Sequence, residues 1–415
     1  MRRRETLPLH THFLAQRVAE LQMKQWALAR LVGVSRKTVS RWLTGRVTRI
    51  ARHNAERLCE ILGCRIEELT VSDALPLHAT IIEQRAAADL LEEHDLVALL
   101  SPSGNWELAE GLIRATLHPD LPPAHQGRLL NLLSITAWRR GRFVEGRERA
   151  VQARRAGEEA RDGGVQVKAA ANLATIDSLT GRHAEALAGY QFCLEHADQF
   201  ALPRDHAGVL TNISMVYRDF ARFEESLHYQ EEAIRVFTAL DLPFNLAIAY
   251  LCLGVIATEC GQWDRAAQAL RSSRTHAEDA RYALHLTVLP FYEADVAALQ
   301  GDLETAAGHL ATGLMGIADE VHYDPACHEI AARIARLRRD LEEAEAQLEA
   351  GMARARDLLP ARALLLQERA RLADAREDRA GARRACEEAN RIFRETGLEA
   401  RIMPAPLAEY GHLFG

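Results

Sequence analysis

A period of about forty residues runs through most of this chain and limits what it can fold into. Aligned on one turn position, eight segments superpose: SGNWELAEGLI, RGRFVEGRERA, TGRHAEALAGY, FARFEESLHYQ, CGQWDRAAQAL, QGDLETAAGHL, RRDLEEAEAQL and REDRAGARRAC. The turn residues are Gly104, Gly141, Gly181, Ala221, Gly261, Gly301, Arg339 and Glu377, spaced 37, 40, 40, 40, 40, 38 and 38 apart. Two residues on, a bulky side chain recurs (Trp106, Phe143, His183, Phe223, Trp263, Leu303, Leu341). Five residues on, a small one does (Ala109, Gly146, Ala186, Ser226, Ala266, Ala306, Ala344, Ala382). Twelve residues on, the side chain is small again in most copies, as at Ala153, Cys193, Ala233, Ser273, Gly313, Gly351 and Ala389. Small residues at fixed helical offsets let paired helices approach closely, while the bulky residue fills the gap beside the turn.

This pattern resembles the tetratricopeptide repeat, in which a first helix, a glycine turn and a second helix with a small residue near its start form one unit. The resemblance implies an all-α chain whose residues 81–397 form a right-handed α-solenoid of about eight helix pairs. The helices should exceed that family's by one or two turns, because the period is nearer 40 than the usual ~34. Arg339 and Glu377 replace the turn glycine, so the last two repeats are read as a cap. The abundance of Ala, Leu, Glu and Arg agrees with helices throughout. No apolar run approaches the ~18 residues of a membrane span. The start MRRRETLPLHTH lacks the apolar stretch of a signal peptide. Seven scattered cysteines without a C-x-x-C pair fit reduced thiols in the cytoplasm.

Charge separates a head from this body. Residues 1–70 hold 14 Lys/Arg against 6 Glu, about +8, which leaves about −15 on residues 71–415. A basic module on an acidic body suggests a polyanion ligand for the head alone. Leu14, Val18 and Leu21 mark a first helix, and Leu28, Ala29 and Val32 a second that ends at Gly33. Ser35 is a good N-cap for a third helix over 36–43, with Val39 and Trp42 inward and Gly45 just past its end. A fourth helix follows to Gly63, then a short fifth turn.

The stretch KQWALARLVGVSRKTVSRWLTGR resembles the Cro/C1-type (XRE) helix-turn-helix domain, over residues 12–70, behind a basic arm at 1–11 and ahead of a linker at 71–80. The resemblance implies that Arg36, Lys37, Ser40 and Arg41 read bases, since arginine paired twice to guanine is the commonest major-groove contact. By the same resemblance Gln25, Thr38, Thr44 and Arg46 anchor phosphates and fix register. Arg2–Arg4 are either a minor-groove arm or a tail.

Nine residues before the five turns from Gly141 to Gly301 stand Leu132, Asn172, Asn212, Cys252 and Tyr292. Tetratricopeptide domains often use Asn at such a position to hold a peptide backbone, because an amide both donates and accepts. The other reading is that Asn172 and Asn212 bond to an adjacent helix. Neighbouring wall positions hold Arg128, Trp138, Lys168, Met215, Arg218, Glu259 and Asp295. Of these, Asn172, Asn212, Lys168, Arg128, Arg218 and Trp138 are the peptide- or partner-binding candidates. DEVHYDPACHE (319–329) gathers metal-ligand types, yet Pro325 breaks a helix there, and a solvated loop is expected. No P-loop, G-x-S-x-G or dinucleotide fingerprint occurs, so neither cofactor nor enzymatic activity is expected.

Head and body together resemble the RRNPP-type peptide-responsive regulators of bacterial cell–cell signalling. That resemblance implies a cytoplasmic homodimer on a palindromic double-stranded operator, controlled by a short peptide in the solenoid. Two other readings stay open: a regulator whose solenoid docks a protein, such as a phage or stress factor, and an interaction scaffold that has lost DNA binding. Residues 398–415 are read as a tail.

Overall fold

The structure, a computed structural model, describes residues 6–9, 11–21, 23–44, 47, 49–70, 85–88, 91, 106–197, 203–314 and 324–403. Two units divide the chain, Met1–Thr80 and Ile81–Gly415. Gly45, Arg46, Gly104, the arginines of the arm, the 71–80 linker and residues 404–415 lie outside the described residues.

The first unit holds α1 (Thr11–Glu20), α2 (Gln25–Val32), α3 (Arg36–Leu43), α4 (Arg52–Leu62) and α5 (Ile66–Leu69). Leu14, Leu28, Val39, Trp42, Ala55, Leu58 and Leu69 meet in one buried cluster. One addition departs from a purely helical head. β1 (Thr6–Pro8) pairs antiparallel with β2 (Arg49–Ala51), Leu7 facing Ile50, and Leu9 bridges to Thr70. Residues 6–9 therefore belong to the head's fold, with Leu9 and Ile50 buried in its core.

The second unit is a stack of helices. α6 (Trp106–Thr116) precedes seven pairs among the described residues. Their first helices are α7 (Pro123–Arg139), α9 (Gly163–Leu179), α11 (Pro203–Asp219), α13 (Pro243–Glu259), α15 (Ala283–Leu299), α17 (Asp324–Leu337) and α19 (Leu359–Ala375). Their second helices are α8 (Phe143–Ala160), α10 (His183–Ala197), α12 (Phe223–Ala239), α14 (Trp263–Asp279), α16 (Leu303–Leu314), α18 (Leu341–Arg354) and α20 (Arg379–Glu395). Each first helix packs on its own partner and on the first helix of the next repeat.

Two observations show why the sequence folds this way. The turn residue takes positive φ in every described copy: Gly141 (72°), Gly181 (90°), Gly261 (68°) and Gly301 (86°), but also Ala221 (56°), Arg339 (66°) and Glu377 (61°). The last two repeats thus keep the same turn without its glycine. The small residues five past the turn are all buried, as are those at twelve. A Cβ added to Gly351 would lie 2.8 Å from a Leu365 methyl and 2.9 Å from His328 Cβ, so the helices there are as close as glycine allows.

Two expectations need correction. Pro325 does not break a helix; it sits in the first turn of α17, where its missing N–H removes no bond. Cys327, His328 and Glu329 are helical, Cys327 is buried, and His328 Nδ1 lies 2.7 Å from Gln347 Oε1. Asp319, Glu320 and His322 lie outside the described residues, and among those described no group of side chains could hold a metal. The packed body also continues beyond residue 397. Leu398 and Met403 are buried on either side of a 3₁₀ turn, Glu399–Arg401.

Candidate nucleic-acid interface and helical wall

In the head, α2 ends at Gly33 in the left-handed region (φ 81°), whose amide and that of Val34 both return to Ala29 O. The chain then turns extended at Ser35, and Ser35 Oγ accepts the Thr38 amide at 3.1 Å, capping α3. At about 100° per residue, Val39 and Trp42 fall on one side of α3 and Arg36, Lys37, Ser40 and Arg41 on the other. The structure bears this out: Val39 and Trp42 are buried, Arg36, Lys37 and Arg41 are exposed, and Ser40 is half-buried. None of these three cations makes an ion pair among the described residues.

The flanking candidates are placed less uniformly. Gln25 opens α2, half-buried. Thr38 Oγ1 lies 2.8 Å from Ser35 Oγ, and Thr44 Oγ1 donates back to Ser40 O at 2.8 Å. Other arginines of the basic head brace the fold. Arg17 Nε donates to Leu62 O (3.1 Å) and Arg57 Nε to Leu31 O (3.0 Å), satisfying carbonyls at helix C-termini. Arg49 Nη2 donates to Thr6 O at 3.0 Å and ties the two strands.

On the solenoid wall, the asparagines bond helix to helix. Asn172 is buried and its amide lies 3.3 Å from both Asn131 O and Asn131 Oδ1, while Asn131 Nδ2 donates to Val165 O at 3.0 Å. Asn212 hydrogen-bonds the buried Tyr190 hydroxyl, which also meets Thr175 Oγ1 at 2.9 Å. Lys168 and Arg128 reach Asp205 and Asp162, each at 3.4 Å. Trp138 packs beside Phe143, Ile176 and Leu358, with the Arg139 guanidinium 4.5 Å from its ring centre.

Arg218 joins a polar group that reaches across three first helices. It pairs with Asp219, stands 3.6 Å from Glu259 on α13, and is electrostatically coupled to Tyr292 on α15. The Asp219 and Glu259 carboxylates hold its guanidinium firmly charged despite burial. His183 Nε2 lies 3.2 Å from the same Asp219 carboxylate, which is held well below the usual carboxylate range against the pull of burial.

A second polar group surrounds Asp295, a wall position whose partners the sequence does not link to it. Arg333 on α17 donates Nη1 to both oxygens of Asp295 (2.7 and 3.1 Å) and pairs with Glu329. Arg336 Nε donates to the fully buried Glu368 at 2.5 Å, whose other oxygen takes Arg371 at 3.1 Å. Burial raises Asp295 to about 6 in spite of Arg333, helped by the nearby Glu329 and Glu368 carboxylates. The i, i+4 pair Glu329–Arg333 is visible in the sequence, but its partner 38 residues upstream is not.

These two geometries define a class: a helix-turn-helix head whose third helix has an exposed basic face, followed by a tetratricopeptide-like solenoid. Residues 14–73 match the Cro/C1-type HTH DNA-binding domain, and the head belongs to that family. No curated protein is detectably similar to the chain in sequence. Among solved structures, a Rap protein complexed with competence and sporulation factor is 12% identical, with a TM-score of 0.62 over 94% of this chain and 99% of that one. NprR in complex with its cognate peptide NprX is 14% identical, with a TM-score of 0.55 over 80% of this chain and 94% of that one. These likenesses show a shared helical-repeat fold. Among the described residues no helix is long and apolar enough to cross a membrane.

Proposed function

We propose that this chain is a sequence-specific, cytoplasmic DNA-binding transcription regulator whose solenoid holds a peptide that controls it. The observation that carries the DNA half is α3, a Ser-capped helix with three exposed cations, in no ion pair among the described residues, opposite two buried apolar residues inside a Cro/C1-type domain. Its fold likeness to NprR, solved with a cognate peptide, supports the ligand half. The Arg218–Glu259–Tyr292 group offers a fixed cation, a carboxylate and a phenol on three adjacent helices, the donor and acceptor set a peptide needs. A homodimer would set two heads on half-sites about 34–36 Å apart. A ligand then alters DNA affinity only if it binds one head spacing more tightly than the other.

A specific observation also favours a protein partner for the solenoid. Besides Arg218 and Glu259, the wall carries the half-buried Glu329 and Arg333, paired with each other and with the buried Asp295 and Glu368, so its charged groups extend beyond an asparagine-lined groove. Mass spectrometry of material co-purified from the native host distinguishes the two, because it returns either a short peptide or a protein. A gel shift on the region upstream of its own gene tests the DNA half; no shift at low salt would leave only the interaction scaffold.

A further inference from the structure

The Glu399–Met403 turn makes hydrogen bonds to residues 142 to 183 positions earlier in the chain. Arg401 Nε donates to Asp219 O at 2.9 Å, and its Nη2 donates to Arg218 O at 2.6 Å and to Glu259 Oε2 at 2.7 Å. The two carbonyls belong to the end of α11, the negative end of its dipole; turn amides already reach Val216, Tyr217 and Arg218 O, so Arg401 adds a second donor to Arg218 O and supplies one to Asp219 O. A guanidinium forked across that end is a charge-assisted cap. Its side chain is only 15% exposed, so the contact is enclosed.

Apolar contacts run along the same seam. Phe220 packs on the cluster of Phe393, Ile392 and Leu398. Phe143 and Ile176 meet Leu358. A Cβ on Gly181 would lie 2.6 Å from Thr396 Cγ2 and 3.3 Å from Leu359 Cβ. Arg356 and Leu359 form one side of a cleft whose other side is Arg142, Phe143 and Val144. The last repeat therefore sits against the turns that end α7, α9, α11 and α13. The turn itself is held to its own repeat, since Gln367 Nε2 donates to Arg401 O (2.7 Å) and Asn390 pairs both ways with Met403 (2.8 and 2.9 Å).

We propose that the Glu399–Met403 turn is a latch that closes the solenoid on itself, with Arg401 as its bolt and Glu259 as the group it shares with the wall. Glu259 presents one oxygen to Arg401 and the other towards Arg218, the wall cation. Whatever displaces Arg218 or claims Glu259 on the wall therefore loosens the bolt. Closure and the wall are thus linked through one carboxylate, without need of a contact between the ligand and the last repeat.

The test uses the full chain with no ligand added, so its outcome is separate from the question of what the solenoid binds. Small-angle scattering and hydrogen exchange are compared for the wild type, Arg401→Gln, Arg401→Lys and Glu259→Gln. The latch predicts a larger radius of gyration for Arg401→Gln and about tenfold faster exchange at the Phe220 and Arg222 amides, as for loss of a charge-assisted bond. Arg401→Lys should recover part of the protection. Glu259→Gln, outside the last repeat, should open the same seam and guards against a mere folding defect in α19–α20. Unchanged scattering and exchange in Arg401→Gln would overturn the latch. Opening by Arg401→Gln but not by Glu259→Gln would overturn the coupling to the wall.

Discussion

Ser35 Oγ accepts the Thr38 amide at 3.1 Å and caps the start of α3, the helix that carries Arg36, Lys37 and Arg41. Replacing Ser35 with Ala should cost about 1 kcal/mol of head stability, the usual value of such a cap. Ser35→Asp should keep that stability, because Asp also caps, yet weaken DNA binding by placing a negative charge beside the phosphates. Hydrogen exchange of α3 in the full chain, together with DNA titration, reads both effects. Equal stability of Ser35→Ala and wild type would show the cap to be idle.

Ala221 holds the same left-handed turn that glycine holds in neighbouring repeats (φ 56°). A side chain there costs roughly 1–2 kcal/mol, part of which Gly returns as unfolded-state entropy. Ala221→Gly should therefore stabilise the solenoid by about 0.5–1 kcal/mol, seen as a higher urea midpoint. A lower midpoint would contradict the turn's geometry.

Gly181 and Gly261 share that turn but not its surroundings. Gly181→Ala would press on Thr396 at 2.6 Å, whereas the nearest atom for Gly261→Ala is a Trp263 ring carbon at 3.7 Å. Both substitutions pay the backbone strain, and only the first adds overpacking of about 1–3 kcal/mol. Urea melts of the two variants should separate them in that order.

His285 is buried, with Nε2 2.7 Å from Ser273 Oγ, and burial lowers its pKa to about 4. The unfolded chain takes up this proton near its ordinary ~6.5, before the folded one does. Stability from this group is thus present above pH 6.5 and lost as the pH falls through about 4. Asp295, at about 6, works the opposite way: the unfolded chain gives up its proton first, so its contribution falls as the pH rises from about 4 to 6. In denaturation between about pH 4 and 6.5, the signed slope of stability against pH should be lower by about one proton for His285→Gln than for wild type, in which His285 and Asp295 partly offset each other. The same pH dependence in both would place His285 in water.

Much of this architecture was legible in the sequence because it repeats. The turn at Gly141, Gly181, Gly261 and Gly301 and the small residues behind it answer local requirements, one backbone conformation and one close helix approach, at a fixed offset. Asn172 was ambiguous for the opposite reason. Its partner Asn131 sits one position out of register with Leu132, so no offset links them. Arg401 and Asp219, or Asp295 and Arg333, lie together only because the solenoid brings distant repeats side by side. The strand Thr6–Pro8 is too short for an alternating pattern to show. Pro325 reads alike as a breaker or as a first-turn residue until the helix start is known.

The central claim is that α3 reads DNA, and fluorescence anisotropy on a duplex from the chain's own upstream region tests it most directly. Wild type, Arg41→Ala and Arg383→Ala are compared, the last removing an exposed arginine paired with Glu387 on α20. Loss of a base-reading arginine should weaken binding by about 1–3 kcal/mol and relax the preference for the operator over scrambled DNA. Arg383→Ala should bind as wild type. Equal affinity and equal preference for Arg41→Ala and wild type would contradict the assignment of α3 as the reader.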